Sequence, residues 1–182
     1  MKKTMFIILC SAFASVAIAQ NTPANIRGFK VAGGINVAVP ANNLKSYSIG
    51  VGADLLAQYG ISNSVGITGD VGYTTLFPND KGKADGVRDL QIFPIRLGLR
   101  YYPSSAFYVG AKAGLGLLSD KGLDNQNRTL TYSFGGGFMA SPKLDLGLTY
   151  DGYTNNGASG IGNFNDNSLG IVNLRLGYFF GK

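Results

Sequence analysis

Large apolar residues alternate with small or polar ones along most of the chain. In the ten residues FPIRLGLRYY that begin at Phe93, the apolar side chains fall on one side, and Arg96 and Arg100 fall on the other. A period of two residues predicts a β-strand with one apolar and one polar face. Such stretches recur eight times, with approximate limits at 27–39, 47–59, 65–77, 90–102, 107–118, 130–140, 144–153 and 168–180. Ile171 breaks the alternation of the last stretch.

Short and long connections alternate between the predicted strands. The segments 60–64, 103–106 and 141–143 are tight turns, 41–46 is intermediate, and 78–89, 119–129 and 154–167 are long and polar. No stretch after Gln20 has the periodicity of an amphipathic helix. Eight strands with short turns at one end and longer loops at the other predict an all-β fold, an antiparallel up-and-down β-barrel. Because the strand number is even, both termini lie at the short-turn end.

The apolar face of such a barrel points inward in a soluble ligand-binding barrel and outward to lipid in a membrane barrel. Strands of ~11 residues tilted by ~40° span roughly 28 Å, close to the ~25 Å apolar band of a membrane barrel. Aromatic residues on the apolar face gather near both strand ends, a distribution typical of the two interfaces of a bilayer. They are Phe29, Tyr59, Tyr101, Phe107, Phe138, Tyr178 and Phe180 toward the short turns, and Tyr47, Tyr73, Phe77, Phe93, Tyr132 and Tyr150 toward the long loops. These features favour a transmembrane barrel, and a secreted soluble barrel that binds an apolar ligand is the alternative.

The polar face is rich in glycine. On this register the inward glycines are Gly34, Gly50, Gly52, Gly66, Gly72, Gly98, Gly110, Gly114, Gly116, Gly135, Gly137, Gly147 and Gly177. They leave room for long side chains in the narrow interior of an eight-stranded barrel. Gly33, Gly69, Gly136 and Gly170 fall on the outer face and are interpreted as bends. Pro94 lacks the N–H that a closed ladder needs, and it predicts a β-bulge near the long-loop end.

The polar face also carries charges. The positive residues are Lys30, Arg96, Arg100, Lys112 and Arg175, and the negative residues are Asp54, Asp70, Asp145 and Asp151. The order of the strands suggests that Asp145 pairs with Arg175 and that Asp70 pairs with Arg96. Five positive charges against four negative ones predict a salt-bridged plug that fills the lumen. A narrow ion or proton path is the alternative interpretation.

The composition narrows the possible chemistry. Only 14% of the residues are charged, well below the roughly 25% of soluble domains. The chain has no histidine, and we expect neither enzyme activity nor a cofactor. The segment PNDKGKADGVRD contains Asp80, Asp85 and Asp89 without the spacing of a Ca²⁺ loop, so no metal site is expected. A formal net charge of +6 without a basic cluster argues against nucleic-acid binding.

The first residues, MKKTMFIILCSAFASVAIAQ, have the three parts of a secretory signal. Two lysines precede a short apolar stretch, and AIA forms a small-residue cleavage site. The apolar stretch is too short for a spanning helix. The sequence therefore predicts a signal peptide at 1–19 and one mature domain at 20–182. Lipidation at Cys10 is the alternative, but the preceding IIL is not the small-residue context of a lipidated cysteine.

Three sequence segments resemble those of a known family: FPIRLGLRYYP, FYVGAKAGLGL and the closing NLRLGYFFGK. With them the whole mature chain resembles the small outer-membrane β-barrels of Gram-negative bacteria, the eight-stranded OmpA/OmpX-like group. The resemblance implies an integral protein of the outer membrane with both termini in the periplasm. The closing strand resembles the C-terminal signal that the barrel-assembly machinery recognises, although Gly181 and Lys182 follow the final aromatic. Its lipid-facing residues would be Leu174, Leu176, Tyr178 and Phe180.

This architecture hosts porin-like, adhesive, structural and enzymatic members, so the function has to be argued from the residues. The leading hypothesis is a structural or interaction barrel that presents loops 78–89, 119–129 and 154–167 to an extracellular partner. Outer-membrane lipid and the barrel-assembly machinery are its other expected partners. A small ion-conducting pore is the second hypothesis.

Overall fold

A computed structural model describes residues 25–42, 44–120, 126–154 and 168–180. The strands are β1 Gly28–Asn42, β2 Tyr47–Gly60, β3 Val65–Pro78, β4 Leu90–Tyr101, β5 Phe107–Asp120, β6 Gln126–Met139, β7 Leu144–Thr154 and β8 Ser168–Phe180. A five-residue helix, α1, spans Asp80–Ala84. No helix within the described residues is long and apolar enough to cross a membrane. The predicted signal peptide at 1–19, which includes Cys10, lies outside the described residues. So do residues 121–125 of loop 119–129, residues 155–167 of loop 154–167, and Gly181 and Lys182.

The strands form a closed barrel in chain order, and each strand is antiparallel to both neighbours. A row of paired residues that starts at Gly28 passes once around the barrel and returns to β1 at Ala38, ten residues further along. With ~3.3 Å per residue and ~4.8 Å between strands, this offset gives a strand tilt of about 40°. The predicted eight-stranded antiparallel barrel is confirmed. Its interior is just wide enough to be filled by side chains.

The apolar face of the barrel points outward. Leu97 and Phe29 are 71% and 66% exposed, whereas Asp70 and Arg96 on the opposite face are 5% and 7% exposed. Large exposed apolar side chains occur on all eight strands. In water this surface would be costly, because each Å² of apolar surface left exposed forgoes ~25 cal/mol. The orientation is therefore that of a membrane barrel and not that of a soluble ligand-binding barrel.

The strand limits agree with the alternation pattern except at some ends. β6 begins at Gln126, before the predicted start at 130. Part of loop 78–89 forms α1, which begins after Asn79 because the side chain of Asn79 accepts a 2.8 Å hydrogen bond from the backbone N–H of Gly82. A helix of five residues is too short to produce a hydrophobic period, so the pattern of the sequence could not indicate it.

Tyr47 is expected in the outer aromatic girdle at the long-loop end, but the structure buries it at 5% exposure. The register between β2 and β3 shifts between Tyr47 and Ile49, which is a β-bulge. The extra residue reverses the face on which Tyr47 lies. Its hydroxyl donates to the backbone carbonyl of Arg88 at 3.2 Å. Tyr47 therefore ties β2 to the loop before β4 and does not anchor the barrel in the interface.

The bulge predicted at Pro94 is absent. The register between β3 and β4 is the same on both sides of Pro94, at the pairs Val71–Ile95 and Thr74–Ile92, and no residues pair between them. Proline removes a hydrogen-bond donor but adds no residue to the strand. The missing N–H therefore interrupts this ladder locally and does not shift it.

At least two of the outer-face glycines have a packing role. A Cβ at Gly33 would lie 3.1 Å from the ring of Phe180, and a Cβ at Gly170 would meet the hydroxyl of Tyr150. In both cases an aromatic ring from the neighbouring strand lies across the glycine. Such rings cover backbone that a glycine would otherwise leave bare.

Replacing Gly114 by alanine should destabilise the barrel. A Cβ on Gly114 would overlap the carbonyl oxygen of Ile95 on the neighbouring strand β4. Because that oxygen belongs to the backbone ladder, we expect the free energy of unfolding to fall by ~1–3 kcal/mol. Gly72→Ala is the matched control, since its Cβ would lie 3.5 Å from the nearest atom. Urea titration in lipid vesicles, followed by the fraction of protein that resists SDS before heating, compares the variants. Equal stabilities would contradict the packing argument.

Candidate functional site

Charged side chains inside the barrel form two chains of ion pairs. The first chain is centred on Arg175 of β8, which lies 2.7 Å from Asp54 (Nη2–Oδ1) and 2.8 Å from Asp145 (Nη1–Oδ2). Asp145 also contacts Arg100 at 3.4 Å and accepts a 2.7 Å hydrogen bond from the hydroxyl of Tyr108. The guanidinium of Arg100 lies 4.2 Å from the centroid of the Tyr108 ring, which is a cation–π geometry.

The second chain is centred on Arg96 of β4. Its guanidinium lies 2.7 Å from Asp70 (Nη2–Oδ2) and 2.7 Å from Asp151 (Nη1–Oδ2). The second oxygen of Asp70, Oδ1, lies 3.0 Å from Nζ of Lys112. Asp151 Oδ2 also accepts a 2.8 Å hydrogen bond from the amide of Asn173. Arg96 therefore holds two carboxylates, one of which has a second cation.

Each chain contains two cations and two carboxylates, so the eight charges sum to zero. The two pairings that the strand order suggests, Asp145 with Arg175 and Asp70 with Arg96, are both present. Neutrality matters here because an unpaired charge is very costly in a narrow interior. Among the described residues, no group of three or more His, Cys, Asp or Glu side chains is placed to hold a metal ion.

Lys30 is the remaining inward charge, and it lies outside both chains. It makes no ion pair with any residue that the structure describes. Its position near the start of β1 brings it to the short-turn end of the barrel. Of the nine charges predicted to form one lumen network, eight therefore form ion pairs, and Lys30 is separate.

Toward the long loops the lumen is apolar. We call this part the apolar cap; its buried members are Ala38, Leu44, Tyr47, Leu76, Leu90, Ile92, Leu118, Tyr153, Leu169 and Ile171. The alternation pattern did not predict the apolar cap, because it indicates a polar inner face along the whole barrel. Ile171 was the sequence signal that could have indicated the cap. It faces the lumen as its position in β8 requires, and it breaks the alternation only because the lumen is apolar at that point.

Near the ion pairs the lumen encloses a cavity of about 50 Å³, lined by charged residues of both chains. Ser133 Oγ, Asp151 Oδ1 and Asn173 Oδ1 also line it and have no hydrogen-bond partner among the described residues. A water molecule needs roughly 10–15 Å³ of such space, and the lining groups supply the polar partners that water requires. The cavity is therefore suited to a few water molecules.

A larger space of about 470 Å³ lies at the short-turn end, and we call it the vestibule. Its polar lining includes Lys30, Gln58 and Tyr102, and its apolar lining includes Ile26, Met139 and Phe179. The hydroxyl of Tyr102 donates to Oε1 of Gln58 at 2.8 Å. The lumen thus changes from an apolar cap through a charged centre to a mixed vestibule.

The residues of the predicted assembly signal lie on the outer face of β8. Leu174, Leu176, Tyr178 and Phe180 are 57%, 41%, 46% and 55% exposed. The rings of Tyr178 and Phe180 pack edge to face with centroids 5.6 Å apart. β8 closes the barrel by pairing with β1. The recognition of these residues by the assembly machinery stays a prediction.

Removing Arg96 should leave Asp151 without a cationic partner, whereas Asp70 keeps its ion pair with Lys112. We expect Arg96→Ala to lower the free energy of unfolding by about 1–3 kcal/mol, less than the ~3–5 kcal/mol for a pair in a dry interior, since water has access to the cavity. Adding Asp151→Asn should restore part of the loss, whereas adding Asp70→Asn should increase it by stranding Lys112.

Urea titration in lipid vesicles measures all three variants against the parent. Lys83→Ala removes an exposed ion pair to Asp80 and serves as the control, with no measurable change expected. Equal rescue by both asparagine substitutions would contradict the arrangement of the second chain.

Solved membrane barrels have a similar fold. Ail, the attachment invasion locus protein of Yersinia pestis, matches with a TM-score of 0.55 and 17% identity, over 85% of this chain and 100% of Ail. Neisserial surface protein A matches with a TM-score of 0.53 and 18% identity, over 83% of this chain and 95% of that protein. The N-terminal β-barrel domain of OprF from Pseudomonas aeruginosa matches with a TM-score of 0.52 and 14% identity, over 83% and 97%. These identities are low, so the likeness shows the fold alone.

No curated protein matches the sequence. A family model described as the outer membrane protein beta-barrel domain matches residues 6–180, which is nearly the whole chain. The closed barrel and its outward apolar face agree with that description. The chain belongs to the outer membrane protein beta-barrel domain family.

Proposed function

We propose that this protein is a non-conducting outer-membrane barrel that presents its long loops to a macromolecule outside the cell. The short-turn end, with both termini, faces the periplasm. The role is structural or adhesive and not catalytic. The observation that carries this proposal is the pair of neutral ion-pair chains in the lumen.

The filling of the lumen supports a closed barrel. The central cavity of about 50 Å³ has room for a few water molecules only. Tyr153 and Ile171 of the apolar cap, 2% and 1% exposed, lie between this cavity and the long loops. Ions would have to cross an apolar layer there, where they lose hydration without gaining a partner.

The loop between β3 and β4 supports a role in presentation. The amide of Asn79 donates to the backbone carbonyl of Lys45 at 2.7 Å, and its backbone N–H donates to the carbonyl of Ser46 at 2.8 Å. Val87 packs against the apolar cap. A loop tied to its neighbour and to the lumen loses less conformational entropy on binding than a free loop does.

The composition and the ion pairs support the non-catalytic part of the proposal. The chain contains no histidine, the side chain most often used as a general base. Each of the four lumen carboxylates contacts at least one arginine or lysine. These contacts engage the carboxylates in the two ion-pair chains.

The proposal includes two further partners, one in the membrane and one that acts during assembly. Outer-membrane lipid covers the apolar face, and the barrel-assembly machinery recognises the outer side of β8. The alternation of exposed residues from Leu174 to Phe180 supports the second of these.

Recordings in planar bilayers test the closed lumen. We expect no steady conductance from the parent protein. The triple variant Arg96→Ala, Asp151→Asn and Tyr153→Ala should leak, because it removes side chains from both the second ion-pair chain and the apolar cap. Lys83→Ala is the control and should behave as the parent. A stable, ion-selective channel in the parent would favour the pore, the second candidate, and overturn the closed barrel.

Cysteine labelling on intact cells tests the orientation. The single cysteine, Cys10, lies in the predicted signal peptide, so the mature chain offers a cysteine-free background. Lys83→Cys lies on α1 at the long-loop end, and Lys143→Cys lies before β7 at the short-turn end; both positions are exposed. A maleimide too bulky to cross the outer membrane should label only Lys83→Cys, and Lys143→Cys should react after permeabilisation. The reverse result would contradict the proposed orientation.

A further inference from the structure

Lys30 points into the vestibule as a cation without a counter-charge among the described residues. The two ion-pair chains are already neutral, so no lumen carboxylate among the described residues is left to compensate it. A positive charge at the end of a low-dielectric barrel attracts anions more strongly than it would in water. The vestibule therefore has an electrostatic preference for a negative group.

Gln58 adds a second donor beside Lys30. The two residues are directly paired across β1 and β2, which puts their Cβ atoms about 4.5–5.5 Å apart. Gln58 is only 2% exposed, and the hydroxyl of Tyr102 donates to its Oε1 at 2.8 Å. This bond fixes the orientation of the Gln58 side-chain amide, so its NH₂ group points away from the Tyr102 hydroxyl. That group makes no hydrogen bond with any described residue.

The rest of the vestibule is apolar enough to hold a hydrocarbon group. Ile26, Met139 and Phe179 line it together with the two donors. Its volume of about 470 Å³ falls within the ~300–1,000 Å³ of small-molecule sites, which combine apolar walls with a few polar groups. The site therefore offers two adjacent donors, one of them charged, at the edge of an apolar chamber.

We propose that the vestibule binds a small amphipathic carboxylate. The carboxylate would accept from Nζ of Lys30 and from the NH₂ of Gln58, and its hydrocarbon part would contact Met139 and Phe179. One lysine and one neutral amide suit a single negative charge better than a phosphate dianion. This site is independent of the proposed function, because it lies outside both ion-pair chains and away from the long loops.

The methyl group of Met139 is a reporter inside the site. The other methionines, Met1 and Met5, belong to the predicted signal peptide, so Met139 would be the single methionine of the mature chain. In protein labelled with ¹³C-methyl methionine and held in detergent, hexanoate should shift this resonance saturably. Hexanol and hexylamine at equal concentration should shift it far less, and inorganic phosphate should not shift it.

Two variants test the donors, and one serves as a matched control. Lys30→Met removes the charge at similar length and should weaken hexanoate binding about tenfold or more. Gln58→Glu keeps an acceptor for Tyr102 but supplies Lys30 with its own carboxylate, and it should abolish binding. Lys143→Met removes a lysine from the same end of the barrel and should bind as the parent does. The shift in SDS-gel mobility on heating shows that each variant is folded.

The outcomes separate the possible explanations. A saturable shift that depends on Lys30 and Gln58 supports the site. A shift that rises linearly with concentration, or that is equal in Lys30→Met and the parent, indicates partitioning into detergent and overturns it. A shift with phosphate as large as that with hexanoate overturns the amphipathic part. A folded parent that shows no shift overturns the proposal, whatever the conductance recordings give.

Discussion

The fixed width of a closed eight-stranded barrel is the constraint on which this structure depends. An offset of ten residues around the barrel sets the tilt of the strands and therefore the diameter. The interior can be filled only by side chains, and two long side chains cannot lie side by side at the same level, that is, at the same height along the barrel axis. Glycine opposite a long side chain satisfies this condition: a Cβ on Gly34 would overlap the guanidinium of Arg175, and a Cβ on Gly137 would overlap the ring of Tyr108.

Charge neutrality follows from the same narrowness. Arginine and lysine are long enough to reach across the lumen, but each needs a carboxylate within contact distance. Arg175 and Arg96 each bridge two aspartates and so connect strands that are not neighbours in the sheet. The ion pairs therefore link strands across the lumen, whereas the ladder hydrogen bonds link neighbouring strands around the barrel wall. This arrangement fills the centre and fixes which side chains lie at the same level.

The two ends of the lumen differ in chemistry because different segments of the chain line them. The long-loop end is sealed by apolar side chains, to which Leu44 contributes from the connection between β1 and β2 and Tyr47 from the start of β2. At the short-turn end, residues of the tight turns line a vestibule instead of filling it. Lys30 and Gln58 face this space with donors that no described residue satisfies. The asymmetry makes one end a support for loops and the other a candidate ligand site.

Much of the fold could be predicted from the sequence, because alternation with a period of two records which face of each strand meets lipid. The pattern predicted the eight strands, the outward apolar face and the two pairings Asp145–Arg175 and Asp70–Arg96, which need only the strand order. It did not predict the apolar cap, the inward turn of Tyr47 or the separation of Lys30 from the ion pairs. Alternation assigns a residue to a face but not to a level along the barrel, and a single bulge reverses the face. The level depends on the offset between strands, which is a property of the closed barrel as a whole. Only the tertiary structure therefore decided which charges meet, and that Lys30 has no counter-charge among the described residues.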